Sequence, residues 1–453
     1  MKIAKLKRGK PYIFTDVKTW GGKGDNLLKL NEVFNVPQGF VLSADTYTDW
    51  VNQTSLAQEL NEIAQQNPET AYARVRKSFQ TTNLPDDLTK KLNTEFEKLR
   101  KPLAVRSSSI AEDGSNNSFA GQHESILGVS NFEEFLMAIK EVYASLFTPR
   151  AVQYRQSQGL SQTDAIALVV QEMIDPVVSG VAYSPSPNNL DEILIESTWG
   201  LCTSIVEGRS CDIYRVLDTV TGNVIQDISP KKNEMDVYNA KTKKVETQKI
   251  SWLSGKKVSS SLTQEQVIEV AKTIKSIERA YGMPMDMEFA FDNKSNLFVL
   301  QARPLTGTVQ NEINLQLPNI PTDRVLARSR NTRNQGIYEG PVVVVRKVDH
   351  ANRSFDVDGD LIELNKQFKE GYVLLTPEVP PQLEQYVTNA RAMYATECGT
   401  TGHAAAIAVE KGIIYLGRGT SNIPNLLQTV RSGMQVGIAV SKDEGILYIP
   451  EEK

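Results

Sequence analysis

Four short segments carry the residues best suited to handling phosphate. In the first, Gly21-Gly22-Lys23-Gly24 runs directly into Asp25-Asn26-Leu27-Leu28-Lys29-Leu30, a glycine turn with a lysine in it that enters a helix. A glycine turn of this kind is weak evidence alone, and no GxxxxGK[ST] segment occurs in the chain. In the second, the apolar run Leu103-Ala104-Val105 ends in Arg106-Ser107-Ser108-Ser109. Glu112, Asp113 and the small-residue loop Ser118-Phe119-Ala120-Gly121-Gln122 follow. Arginine offers fixed charge and several donors to phosphate oxygens, and small residues let backbone amides approach an anion closely. A serine-rich loop with a structural arginine fits these residue types equally well.

The third segment is Met285-Asp286-Met287-Glu288-Phe289-Ala290, followed by Leu300-Gln301-Ala302-Arg303-Pro304. Period-two alternation puts Asp286 and Glu288 on one strand face, and the next strand would bring Gln301 and Arg303 onto a neighbouring surface. Carboxylate and amide oxygens are hard ligands that suit magnesium bridging ATP phosphates, and Arg303 would hold a transferring phosphoryl group. An exposed strand face with a surface ion pair accounts for the same residues. In the fourth, Gly399-Thr400-Thr401-Gly402 precedes His403, and a small-residue helix follows as far as Gly412. His403 therefore sits at a helix N-terminus. The positive helix end disfavours imidazolium, keeps one ring nitrogen nucleophilic, and offers amides to an attached phosphate.

The remaining inventory narrows the chemistry. There are only three histidines, so His123, His350 or His403 must carry any histidine step. His123 reads as a packed residue after the Gly121-Gln122 loop, and His350 as a solvated residue in a polar turn. Cys202, Cys211 and Cys398 have no metal-ligand spacing, which makes a reduced, cytoplasmic protein the expectation, with Cys398 buried. A formal net charge of −4 provides no basic field for nucleic acid. No apolar h-region follows the basic N-terminal residues, and no apolar run approaches the ~18 residues of a membrane span. Neither a signal peptide nor a membrane is expected.

These segments must be positioned by an α/β framework. Val36-Pro37-Gln38-Gly39-Phe40-Val41-Leu42 reads as a turn into a buried strand, and 165–170 and 193–195 read as further strands. The clearest helix is 263–281. Thr263 and Gln266 form a capping box, Val267, Val270, Ile274, Ile277 and Tyr281 share one face, and Gly282 ends it. Strands 287–291 and 297–300 follow. Residues 307–334 read as a linker with solvated arginines at 324, 328, 330 and 333, and 341–345 opens a new strand-rich unit. Lys231, Lys232, Lys243 and Lys244 read as an exposed hairpin region.

Taken in order, GGKGDNLLKL, VPQGFVLSADTY, LAVRSSSIAEDGSNNSFAGQHESIL, VVQEMIDPVVSGVAYSPSP, GMPMDMEFAFDNKSNLFVLQARPLT and TGHAAAIAVEKGI resemble the phosphoenolpyruvate synthase and pyruvate phosphate dikinase family over nearly the whole chain. The resemblance implies a two-lobed ATP-grasp nucleotide-binding domain (lobes 1–190 and 191–308), a linker (309–334) and a swivelling β/β/α phosphohistidine domain (335–453). It implies ATP and Mg2+ as ligands. Lys23, Arg106 and Arg303 match phosphate-contacting positions, Glu288 and Gln301 match magnesium and phosphate ligands, Gln171 and Met173 match adenine contacts, and His403 matches the phosphate carrier. The implied activity moves the ATP β-phosphoryl group to His403, releasing AMP and phosphate, and then to a small-molecule acceptor. That acceptor would be bound by these two domains or, like pyruvate, held on a separate acceptor-domain subunit. The family's pyruvate-binding barrel would begin near Lys453, where the sequence ends. Other departures are Cys202 and Thr203 in a GLGE-like segment, Gly402 before the histidine, and Val409 for a family arginine. They leave open a nucleotide-responsive regulatory or phosphocarrier module without its own acceptor chemistry. A direct ATP-grasp ligase would give His403 no task.

Overall fold

The protein is described here by a computed structural model, which covers residues 2–6, 16–63, 68–110, 125–149, 151–152, 155, 165–186, 192–206, 211–218, 223–229, 232–251, 256, 259–305, 315–349, 354–379, 383, 386–387, 389–398, 403–441 and 444–451. The chain is mixed α/β, as expected, and divides into two compact units. The first comprises Met1–Ser179, Val237–Gln248 and Arg279–Thr306; the second comprises Gly180–Asp236, Lys249–Glu278 and Gly307–Lys453.

The first unit is built in the order β1 (Ile3–Leu6), α1 (Val17–Leu30), β2 (Gly39–Leu42), α2 (Ala44–Asn52), α3 (Leu56–Ile63), α4 (Pro68–Thr81), α5 (Asp86–Phe96), β3 (Leu103–Ser109), β4 (Ser125–Val129), α6 (Phe132–Ala144) and β5 (Ile166–Glu172). The strands form one sheet in the order β1-β2-β5-β3-β4, antiparallel throughout. Every residue of β5 is buried, so both faces of the central strand are covered. One face gives Leu103, Val105, Ile166, Leu168 and Val170 to an apolar core with Trp50, Phe79, Phe135 and Tyr143. Each such side chain contributes roughly 1.5–3 kcal/mol by burial. By period two, the other face presents Ala104, Arg106 and Ser108 from β3 and Gln171 from β5, and α1 packs against both strands. The hairpin Met285–Phe291/Leu297–Pro304, expected in the second lobe, belongs to this unit. Its second strand runs beside α1, and the Val299 amide donates to the Asn35 carbonyl at 2.9 Å.

The strands Val178–Ser184, Ile193–Trp199, Asp212–Asp218 and Asn223–Ile228, in the second unit from Gly180 onward, lie side by side in that order. The helix expected at 263–281 forms as Gln264–Tyr281 with the expected cap. The Thr263 amide donates to Gln266 Oε1 at 3.0 Å, and the Gln266 amide donates to Thr263 Oγ1 at 3.3 Å. Val267, Val270, Ile274 and Ile277 are buried, and Gly282 takes a left-handed φ of +67° past the end.

The C-terminal part carries a ten-stranded sheet. Gly336–Asp349, Tyr372–Thr376, Ala390–Ala395 and Ile414–Leu416 pair in parallel, and Gln435–Val440 and Gly445–Tyr448 add antiparallel strands.

Three readings need correction. Within the stretch read as linker, Val325–Ser329 is a strand paired with Gly445–Tyr448, and all of its residues but Arg328 are buried in that sheet. Arg324 and Arg333 in that stretch are not simply solvated. Arg324 donates to the Ile449 carbonyl and pairs with Glu451 at 2.7 Å, and burial pushes the Arg333 guanidinium below its usual range, with the Glu196 carboxylate among the groups that oppose the shift. Lys232 is not an exposed hairpin residue. It is 1% exposed and donates to Asp212 Oδ1 at 2.6 Å; an apolar pocket could not hold that ammonium without the carboxylate. Lys243 and Lys244 do lie at an exposed hairpin turn, and Lys231 lies outside the described residues. Among the described residues, no helix is long and apolar enough to cross a membrane.

Candidate active site

The glycine turn is a kink inside α1. Gly21 adopts φ +66°, ψ +167°, so helix resumes at Gly22 and Lys23 falls in the first turn of that second segment. Only glycine fits at Gly21. A Cβ built there would lie 2.1 Å from the Ser108 carbonyl oxygen, and the backbone is left-handed as well. The resumed helix is anchored by Asp25, which is buried, accepts from the Asp16 amide at 2.9 Å and pairs with Lys29 Nζ at 2.7 Å.

Arg106 stands midway along β3, on the face that α1 covers. Its Nη2 lies 3.8 Å from Glu288 Oε2, and its Nη1 donates to the Leu300 carbonyl at 3.5 Å. Glu288 and Gln301 are register partners across the hairpin, as are Asp286 and Arg303. The strand face expected from period two is therefore real, and the neighbouring strand meets it residue for residue. Arg303 Nε donates to Asp286 Oδ2 at 2.8 Å. Burial raises the Asp286 carboxyl above its ordinary value, and Arg303 opposes that rise. The plain alternative of an exposed strand face does not describe these residues, because Asp286 and Gln301 are both 6% exposed.

Arg106, Glu288, Gln301 and Arg303 thus converge, with the Lys23 turn anchored on the same strand as Arg106. Gln171 lies on the α1 face of β5, buried, and its amide nitrogen donates to the Pro37 carbonyl at 3.4 Å. The Met173 amide donates to the Pro102 carbonyl at 2.9 Å. Residues 111–124, with the small-residue loop and His123, lie outside the described residues, as does His350.

The donor set fits a magnesium ion shared with a polyphosphate. Glu288 and Gln301 place a carboxylate and an amide oxygen opposite one another, and among the described residues no group of three or more His, Cys, Asp or Glu could hold a metal alone. Two protein oxygens completed by phosphate and water suit Mg2+, which keeps several waters and seldom takes an all-protein cage.

Sequence reasoning left two residues out of the site. Asp286 was visible on the Glu288 face, but its pairing with Arg303 depends on hairpin register. Ser108 carried a signal in its two-residue spacing from Arg106, which puts both on one face of β3.

In the second unit, a helix begins at His403 and runs to Lys411, joining the parallel strands Ala390–Ala395 and Ile414–Leu416. His403 therefore opens a crossover helix beyond the carboxyl end of a parallel strand, where such sheets hold ligands. Residues 399–402 lie outside the described residues. Cys398 is buried as expected, and burial pushes its thiol well up, away from reactive thiolate. Thr203 has its own partner: its hydroxyl donates to Asp236 Oδ2 at 2.5 Å.

A family model described as the pyruvate phosphate dikinase AMP/ATP-binding domain matches residues 17–317. A probable phosphoenolpyruvate synthase of Pyrococcus horikoshii is 30% identical over 452 residues, covering 88% of this chain and 53% of that protein. The phosphoenolpyruvate synthase of Escherichia coli is 30% identical over 465 residues, covering 96% and 56%. That of Pyrococcus furiosus is 28% identical over 487 residues, covering 96% and 57%. The chain spans about half the length of the curated relatives it matches.

Proposed function

This chain belongs to the phosphoenolpyruvate synthase and pyruvate phosphate dikinase family, and from that premise we propose that it is an ATP-dependent phosphotransferase working through phosphorylated His403. The observation that carries the reading is the convergence of Arg106, Glu288, Gln301 and Arg303 beside the Lys23 turn, in the stretch that matches an ATP-binding family.

In this reading Lys23, Arg106 and Arg303 bind and orient the ATP phosphates, and Gln171 and Met173 line the adenine. Glu288 and Gln301 would hold Mg2+, which when bound supplies charge neutralisation to the phosphates. A ring nitrogen of His403 attacks the β-phosphorus, and the bond to the α–β bridging oxygen breaks, so AMP leaves. Water then takes the outer phosphate, leaving one phosphoryl group on His403 for a small-molecule acceptor. Positioning and charge supply the catalysis, because the transferring group asks for little covalent chemistry from the protein. Pyruvate on a separate acceptor subunit is one such acceptor. The carrier domain must swivel, because one histidine serves two sites.

A nucleotide-responsive regulatory module is the second reading. The capture of the Thr203 hydroxyl by Asp236 favours it, since that GLGE-like position is then committed to structure.

Intact-protein mass after incubation with magnesium and ATP tests the choice, with wild type beside His403→Ala and AMP assayed in parallel. An acid-labile phosphoryl adduct on wild type alone, with AMP formed, is the expected result. ATP binding without an adduct or AMP would overturn the relay and leave the regulatory reading.

A further inference from the structure

We propose that Ser108 is a positioning residue for phosphoryl transfer, clamping the glycine turn that carries Lys23 onto the strand that carries Arg106; the inference rests on the phosphotransfer reading of this site. The Ser108 side chain is wholly buried. Its hydroxyl donates to the Trp20 carbonyl at 2.8 Å and accepts from the Gly24 amide at 2.9 Å. Trp20 and Gly24 flank Gly21, Gly22 and Lys23, so one hydroxyl holds both ends of the turn.

The turn lies directly on the Ser108 backbone. A Cβ on Gly21 would come within 2.1 Å of the Ser108 carbonyl oxygen and 2.3 Å of its Oγ. Ser108 and Arg106 share one face of β3, two residues apart. The spacing between the Lys23 backbone and Arg106 is therefore fixed by one side chain and one step of strand. Serine suits the position because a hydroxyl donates and accepts at once, and its small size lets the turn lie flat. Alanine would keep the shape and lose both bonds.

A serine that served stability alone would act independently of Lys23, whereas a clamp acts through it. The test is a double-mutant cycle on the full chain with Ser108→Ala, Lys23→Ala and the double variant. It measures the rate of His403 phosphorylation at saturating magnesium and ATP and the ATP dissociation constant, with circular dichroism and thermal melting to establish folding. Ser108→Ala is expected to slow phosphorylation by about tenfold to a hundredfold, the scale of a displacement near 1 Å in a reacting group. In the Lys23→Ala background it should cost no more than about threefold further. Losses that multiply across the cycle overturn the clamp, as does a Lys23→Ala variant that behaves like wild type. If wild type binds ATP but forms no phosphohistidine, the phosphotransfer reading fails by itself, and the same cycle is read in ATP affinity. There, non-additivity sustains the clamp and multiplied losses overturn it. Wild type that binds no ATP overturns both. If Ser108→Ala does not fold, Ser108→Cys carries the cycle, since a thiol keeps a weaker donor and acceptor at the same place.

Discussion

At the scale of single residues, this site depends on backbone conformation as much as on charge. Gly21 shows it most directly, with a left-handed φ and a Cβ path that ends on a main-chain oxygen. Gly21→Ala is expected to cost at least ~1–2 kcal/mol from the left-handed backbone alone, and more from the displaced turn. Chemical denaturation checks that figure, and ATP affinity should fall with it. The glycine turn and the strand placement of Glu288, Gln301 and Arg303 were legible, because a glycine turn and a two-residue period are local signals. The sequence did not make Lys232 legible. Two lysines after a proline look solvated until the fold brings Asp212, 20 residues earlier in the chain, to 2.6 Å from one of them. The same limit hid the Asp286–Arg303 pair, which hairpin register creates.

Elements show the same division. The helix Gln264–Tyr281 was readable to within a residue, because its cap and apolar face are local. The strand Val325–Ser329 was not, because its partner lies at Gly445–Tyr448, more than a hundred residues away. Ties between distant elements also govern the response to acid. The Ser432 amide donates to Asp358 Oδ2 at 2.7 Å, and Arg346 and Arg431 add their charge. Together, led by the amide, they hold the Asp358 carboxyl below its usual range against an opposing effect of burial. A depressed carboxyl contributes stability above its unfolded value of about 3.9 and loses it as pH falls through the lower folded value. Asp358→Asn should therefore be less stable at neutral pH, and its stability should fall less steeply below pH ~4. Denaturant titrations from pH 7 to pH 3 measure both effects.

For the whole molecule, the informative feature is that each compact unit is assembled from three stretches of chain. A chain ended after Thr306 keeps every stretch of the first unit but leaves Gly180–Asp236 and Lys249–Glu278 without the 307–453 stretch of theirs. Such a truncation should expose apolar surface, read as increased binding of a hydrophobic dye and increased self-association in sedimentation relative to the full chain. A sequence read from left to right suggests successive lobes, since composition marks where the chain changes character and not where it returns. The interleaving also bears on how the protein is made. As the chain leaves the ribosome, the first unit cannot close until Thr306 has emerged, and the second cannot close until synthesis reaches the C-terminal strands. For some 150 residues, at ~5–20 residues per second, the nascent protein holds finished β1–β5 segments beside incomplete strands, a window for chaperones in the cell.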